Sequence, residues 1–316
     1  MRKPWEITIV ATLAVFVLVA SATVDGFASG RNWTFLLLDL TPIALIALPM
    51  TLIIISGEID LSVASILGLS SAIMGQLWLA GLSLQLIVVL VPLIGALLGA
   101  VNGLFVTRFG LPSLAVTIGT LALYRGLAFV VLGDRAVADF PSGWTGGSIR
   151  AIPGTPIPWA VLLIALLAGV FALVLHFTPI GRGLYAIGNN AEAAAYAGIA
   201  VGRTKFWLYV VSGVISALAG ILWTLRYASA RADNGTGLEL QVVAAVLLGG
   251  VSIFGGRGTL AGVLAGVLLL GTVRNALQLA DVSTDTLTVV TGVLLILSVV
   301  APALTRLTPR LRKASP

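Results

Sequence analysis

Most of the polar side chains that could do chemistry in this sequence stand alone inside long apolar runs. Glu58, Asp60 and Ser62 lie between two such runs, in Gly57-Glu58-Ile59-Asp60-Leu61-Ser62. Asn102 sits among Gly99, Gly103 and apolar neighbours, and Thr117 and Arg125 share one run. Glu239 opens another, and Arg274, Asn275 and Gln278 come late in a third. Ionisable groups in lipid are costly, so they face a partner or a water-filled path. Asn, Ser and Thr offer hydrogen bonds without charge. The ten residues Glu58, Asp60, Ser62, Asn102, Thr117, Arg125, Glu239, Arg274, Asn275 and Gln278 are therefore candidates for a solute path. Two plainer roles compete. Arg125 and Arg274 can snorkel towards water, and Asn102 and Asn275 can bond neighbouring helices. Residues 57–62 read either as a tight turn with Asp60 capping the next helix or, preferably, as a broken helix whose backbone lines a cavity.

What is missing narrows the chemistry further. There is no cysteine, which excludes disulfides, thiolate catalysis and Cys-based metal sites. His176 is the only histidine and ends an apolar run, the position of an interfacial residue; no metal site is expected. The lysines are Lys3, Lys205 and Lys313, and none closes a G-x-x-x-x-G-K-[ST] phosphate loop. Gly255-Gly256-Arg257-Gly258-Thr259 is glycine-rich but lacks that lysine. No cofactor is expected, and any ATP must be bound by another subunit. No acid relay runs through consecutive runs, which speaks against a proton pump.

Those residues need elements that position them in lipid. Hydrophobic residues make up 59% of the 316 and charged residues 9%, with a mean hydropathy of +1.10, against about 25% charged in a soluble domain. A bilayer core needs about 20 apolar residues in helical form, and continuous runs such as 161–175 exclude the alternation of a barrel strand. The expected fold is an all-α, polytopic integral membrane protein of about ten transmembrane helices. The expected spans are 7–24, 35–55, 61–80, 83–107, 112–132, 158–177, 206–226, 240–254, 260–280 and 286–304. Residues 133–157 read as an irregular external loop. Arg2 and Lys3 before Ile7 to Ala20, with Ala20-Ser21-Ala22 following, also fit a signal peptide; an uncleaved first span is the preferred reading.

Charge sets the expected orientation. Ten spans put both termini on one side, and a cytoplasmic placement gathers Arg2, Lys3, Arg108, Arg182, Arg203, Lys205, Arg257, Arg306, Arg310, Arg312 and Lys313 inside. The net charge of +6 thus reflects clusters beside spans and implies no nucleic-acid partner. Residues 178–205 form a long cytoplasmic loop within a single domain of 1–316. In it Asn189 or Asn190 can cap a short Ala-rich helix, Glu192 suits its first turn and Gly198 can end it. Such a helix is placed to receive a push from a soluble partner. Thr236-Gly237-Leu238-Glu239-Leu240-Gln241-Val242 weakly echoes 57–63, as inverted repeats would; chance similarity is the competing explanation.

Six segments in order resemble the ribose-type permease family of ATP-binding-cassette importers. They are GEIDLSVASILGLSS (57–71), GALLGAVNGLFV (95–106), LAVTIGTLALYRGLAFV (114–130), GRGLYAIGNNAEAAAYAGIAV (181–201), SGVISALAGI (212–221) and GLELQVVAAVLLGGVSIFGGRGTLAG (237–262). That family commonly has Gly-Gly-Ile-Asp where this chain has Gly57-Glu58-Ile59-Asp60; the variant resembles the rhamnose or autoinducer-2 branch. The resemblance implies a type II-like importer permease in a bacterial inner membrane. It implies as partners a cytoplasmic ATP-binding subunit, a periplasmic solute-binding protein and a second permease, identical or sister. It implies that Arg182, Asn189, Asn190, Glu192, Tyr196 and Gly198 couple to the ATPase, and that a monosaccharide-like solute crosses by alternating access. The alternatives are an ion-gradient-driven secondary transporter and a membrane-embedded enzyme, for which only Glu58 and Asp60 come close to an acid cluster.

Overall fold

The first nine expected spans fold as helices, and their apolar content decides where each packs. The structure, a computed structural model, describes residues 3–283, 285–290, 292–293 and 296. The tenth expected span falls largely outside these, as do Arg2, Arg306, Arg310, Arg312 and Lys313. In order the helices are α1 (Lys3–Thr23), α2 (Gly30–Ile55), α3 (Val63–Leu79), α4 (Leu84–Arg108), α5 (Ser113–Leu132), α6 (Ser142–Ile149), α7 (Trp159–Phe177), α8 (Pro179–Asn189), α9 (Ala191–Tyr196), α10 (Val201–Tyr227), α11 (Leu238–Leu248) and α12 (Leu260–Leu279). Among the described residues seven are long and apolar enough to cross a membrane: α1, α2, α4, α5, α7, α10 and α12. The chain is a helical, multi-pass membrane protein.

Three expectations need correction. The expected span 240–254 is too long: α11 has 11 residues, about 16 Å at 1.5 Å per residue, and does not cross a bilayer. The chain then turns back through Gly250, Gly255, Gly256 and Gly258, all at positive φ, a conformation glycine adopts without steric cost. Residues 133–157 contain α6 rather than only irregular backbone. The loop 178–205 holds two helices, α8 and α9, where one was expected. Asn190 caps α9, its Oδ1 accepting from Ala193 N at 2.9 Å, and Gly198 leaves it at φ +84.

Burial separates inner from outer helices. Every residue from Leu40 to Ser56 on α2 is buried, as is every one from Val63 to Ala72 on α3. A helix apolar all round belongs inside a bundle. By contrast α4, α5 and α7 present Leu93, Leu97, Val130 and Leu166 outward, which suits lipid. Between α4 and α10 the backbones touch through a stripe of small residues. An added Cβ at Gly99 would overlap the Tyr209 carbonyl, one at Gly213 the Gly95 carbonyl, and one at Gly103 would lie 3.0 Å from Phe206 Cδ2. α10 is thus held against α4 while also packing on α2 and α3, and α1 lies along α12.

Candidate functional site

The ten path candidates separate into three groups. The first is a knot at the break between α2 and α3. Gly57 at φ +84 ends α2, and the chain runs unhelical to Val63. Asp60 and Ser62 are fully buried. Asp60 Oδ1 accepts from Ser62 N at 3.0 Å and Ser62 Oγ at 2.6 Å, and Oδ2 accepts from Ser212 Oγ of α10 at 2.9 Å. Asn102 of α4 donates Nδ2 to Ser62 Oγ at 2.7 Å. Ile59 N donates to Ser113 Oγ at 3.2 Å, and Thr117 Oγ1 donates to the Ile59 carbonyl at 3.3 Å. The capping expectation is not met: Ser62, not Asp60, is the N-cap of α3, and no side chain caps its first turn. Asp60 holds Ser62 itself, and the whole break is packed among α4, α5 and α10. Glu58 points elsewhere, to an ion pair with Lys205 on α10.

The second group joins Arg125 and Glu239. Arg125 does not snorkel. Its Nη1 donates to the Ala232 and Asn234 carbonyls at 2.8 and 2.9 Å, and Nη2 donates to the Ala64 carbonyl at 3.2 Å. A Cβ at Gly68 would collide with the guanidinium, so that glycine makes room for it. Arg125 thereby ties the segment 228–237 to α3. Beside it a groove is lined by Phe129, Asp233, Thr236 and Glu239. In the connecting segment Arg231 hydrogen-bonds both oxygens of Asp233 at 2.8 and 2.9 Å and holds its carboxyl below the usual carboxylate range.

The third group, Arg274, Asn275 and Gln278, lines a cleft of about 220 Å³ between α2, α10, α11 and α12. Asn275 also bridges helices: it exchanges amide hydrogen bonds with Asn32 of α2 at 2.9 and 3.0 Å. Sequence reasoning missed the remaining polar walls, Asp39, Gln241, Tyr227 and Thr236, and the aromatic wall Trp223. Asp39 carried a readable signal, an acid inside Leu38-Asp39-Leu40. Its Oδ1 accepts from Arg226 Nη2 at 2.9 Å and Tyr227 OH at 3.2 Å, and the Arg226 guanidinium lies 5.2 Å from the Phe35 ring centroid. The cleft is smaller than the roughly 300–1,000 Å³ of a site for drug-sized ligands. Amides, two hydroxyls and an aromatic face can grip a small solute carrying several hydroxyls. Among the described residues no group of His, Cys, Asp and Glu could hold a metal ion.

At the opposite end of the bundle lie α8 and α9. Arg182, Asn189, Asn190 and Glu192 are exposed, and Tyr196 is 94% exposed. Tyr185 anchors α8, its hydroxyl donating to the Gly258 carbonyl at 2.8 Å, while burial raises its phenol above the usual value. An ordered two-helix platform with outward polar and aromatic side chains can receive another protein.

A protein family described as "Branched-chain amino acid transport system / permease component" matches residues 32–299. The autoinducer 2 import system permease protein LsrD of Yersinia pseudotuberculosis serotype O:1b (strain IP 31758) is 33% identical over 305 residues, covering 95% of this chain and 91% of that protein. LsrD of Escherichia coli (strain SMS-3-5 / SECEC) is 34% identical over 306 residues, covering 95% and 92%. No solved structure matches the chain.

Proposed function

The chain belongs to this permease family, and on that premise we propose how it moves its solute and what drives it. It is a transport subunit of an import system and not an enzyme. The solute is a small polyol: an autoinducer-2-like molecule, as the names of the relatives suggest, or a monosaccharide. It enters the cytoplasm of a bacterium across the inner membrane by alternating access. ATP is bound and hydrolysed by a separate cytoplasmic subunit, a solute-binding protein delivers the cargo from outside, and a second permease completes the pore. Both termini and α8–α9 face the cytoplasm, and the cleft faces out. Arg274 and Gln278 meet the solute, and Asn275, held by Asn32, fixes the wall that carries them. Asp60, Ser62, Asn102 and Thr117 brace the α2–α3 break, and Arg125 braces the segment that leads into α11 and Glu239. Arg182, Asn189, Asn190, Glu192, Tyr196 and Gly198 form the face that receives the ATPase.

One observation supports this reading best. The cleft lies at the end of the bundle away from α8–α9, and its polar lining is dominated by amides, two hydroxyls and arginine. An ion-driven carrier would call for carboxylates along the path, and Asp39, the only carboxylate in that lining, is already held by Arg226. The decisive experiment reconstitutes the purified chain in vesicles, alone and together with a cognate ATPase, second permease and solute-binding protein. Uptake of labelled rhamnose, ribose or autoinducer-2 is expected only in the complete complex with ATP. Uphill uptake by the chain alone, abolished by collapsing an ion gradient, would falsify the assignment.

A further inference from the structure

Three backbone segments that are far apart in sequence touch at the α8 end of the molecule. The Ile55 carbonyl, at the end of α2, accepts from Gly256 N at 2.8 Å. Gly188, in the last turn of α8, packs so tightly there that an added Cβ would overlap the Ile55 carbonyl and press on Gly256 N. A Cβ on Gly255 would lie 2.9 Å from the Gly188 carbonyl and 3.0 Å from Gly57 Cα. The end of α2, the end of α8 and the turn joining α11 to α12 therefore move as one piece. The residue after Gly57 extends the joint to a fourth helix: Glu58 pairs with Lys205, five residues into α10, and each side chain is only 15% exposed.

These elements carry the cleft at the other end. α2, α10, α11 and α12 supply its walls, and the joint gathers α2, α10 and the α11–α12 turn. We infer that the Glu58–Lys205 ion pair, with the Ile55–Gly188–Gly256 backbone contact, is the joint through which a displacement of α8–α9 changes the opening of the cleft. The inference rests on the proposed roles of cleft and platform and adds the positioning residues that link them. Helices α2 and α10 have 26 and 27 residues, each about 40 Å long. A tilt of about 5° at the joint moves a wall about 30 Å away by roughly 2–3 Å, which is enough to admit or exclude a small solute. Without the ion pair, α10 keeps its packing on α2 and the Ser212–Asp60 bond but loses its tie at the joint, and the movement is shared less completely.

The chain contains no cysteine, so Gln241→Cys places a single thiol in the cleft wall. In cells producing the complete import system, its labelling rate by a membrane-permeant maleimide reads cleft opening whichever way the cleft faces. A membrane-impermeant maleimide reads the facing separately, so a wrongly assigned orientation is told apart from a wrong joint. Rates are scored per inserted molecule. E58Q and K205M are each expected to change the permeant rate at least threefold, with G188A changing it in the same direction, while the swapped pair E58K/K205E restores it to within twofold. Unchanged rates in both single variants overturn the inference, as does a swap that stays as shifted as the singles. If neither single variant inserts, the swap decides: an inserted swap with the parental rate supports the pairing, and a shifted rate or failure to insert overturns it.

Discussion

Asp60 is the most demanding residue in the bundle. It is fully buried, and three donors converge on it: Ser62 N at 3.0 Å, Ser62 Oγ at 2.6 Å and Ser212 Oγ at 2.9 Å. Asp60→Ala removes the acceptor for all three at once. A buried donor left without a partner costs about 1–3 kcal/mol. The two hydroxyls can rotate and recover part of this, which places the total at about 3–6 kcal/mol. Asp60→Asn differs in kind. Its Oδ1 still accepts from Ser62, and the amide nitrogen that replaces Oδ2 donates to Ser212 Oγ, whose hydroxyl turns round to accept. Charge-assisted bonds become neutral ones, but an expensive buried carboxylate also disappears, and the two changes largely offset, leaving about 1 kcal/mol. Thermal unfolding of the purified chain in detergent should rank parent, D60N and D60A in that order. At roughly 2–4 °C per kcal/mol, D60A should melt about 6 °C or more below the parent and D60N within about 4 °C of it. If D60A melts with the parent, the donors have other acceptors and Asp60 does not brace the break. If D60N falls as far as D60A, the negative charge itself is required.

Three further outcomes follow from the same geometry. Arg125→Met removes three charge-assisted bonds to the Ala232, Asn234 and Ala64 carbonyls, costs about 3 kcal/mol or more and should free residues 228–237, read as faster protease cleavage in that segment. Arg125→Lys keeps the charge but loses the planar fork and should recover less than half of that protection. Gly99→Ala drives a Cβ into the Tyr209 carbonyl, where overpacking costs about 1–3 kcal/mol, and should lower the melting temperature, while Gly119→Ala on α5, with open space around it, should not. Asn190→Ala deletes the cap of α9, worth about 1 kcal/mol; it should leave melting nearly unchanged and reduce the ratio of solute moved to ATP hydrolysed in the complete complex, an effect that Asn190→Ser largely reverses.

The legible and illegible parts of this molecule divide along one physical line. Span existence was legible because lipid demands a long apolar run in one piece of chain, so seven crossing helices could be read locally. The cap at Asn190 and the stop at Gly198 were equally local. The short α11 was not, because the run 240–254 is apolar but for Gln241 and Ser252 and only glycine pairs mark where it turns; the partner of that turn, the end of α2 touching Gly256, lies some two hundred residues earlier. The site was split in the same way. Intramembrane polarity singled out Asp60, Asn102, Arg125 and Asn275, but their common label hid different work: Asp60 is met by Ser212, Arg125 by the Ala232 and Asn234 carbonyls and Asn275 by Asn32. Polarity in a span indicates that a partner is required, and does not say whether that partner is protein or cargo. Only the packing distinguishes them, since a side chain whose bonds are all met by neighbouring helices has little left for a solute, whereas Gln241, Arg274 and Gln278 face open space in the cleft.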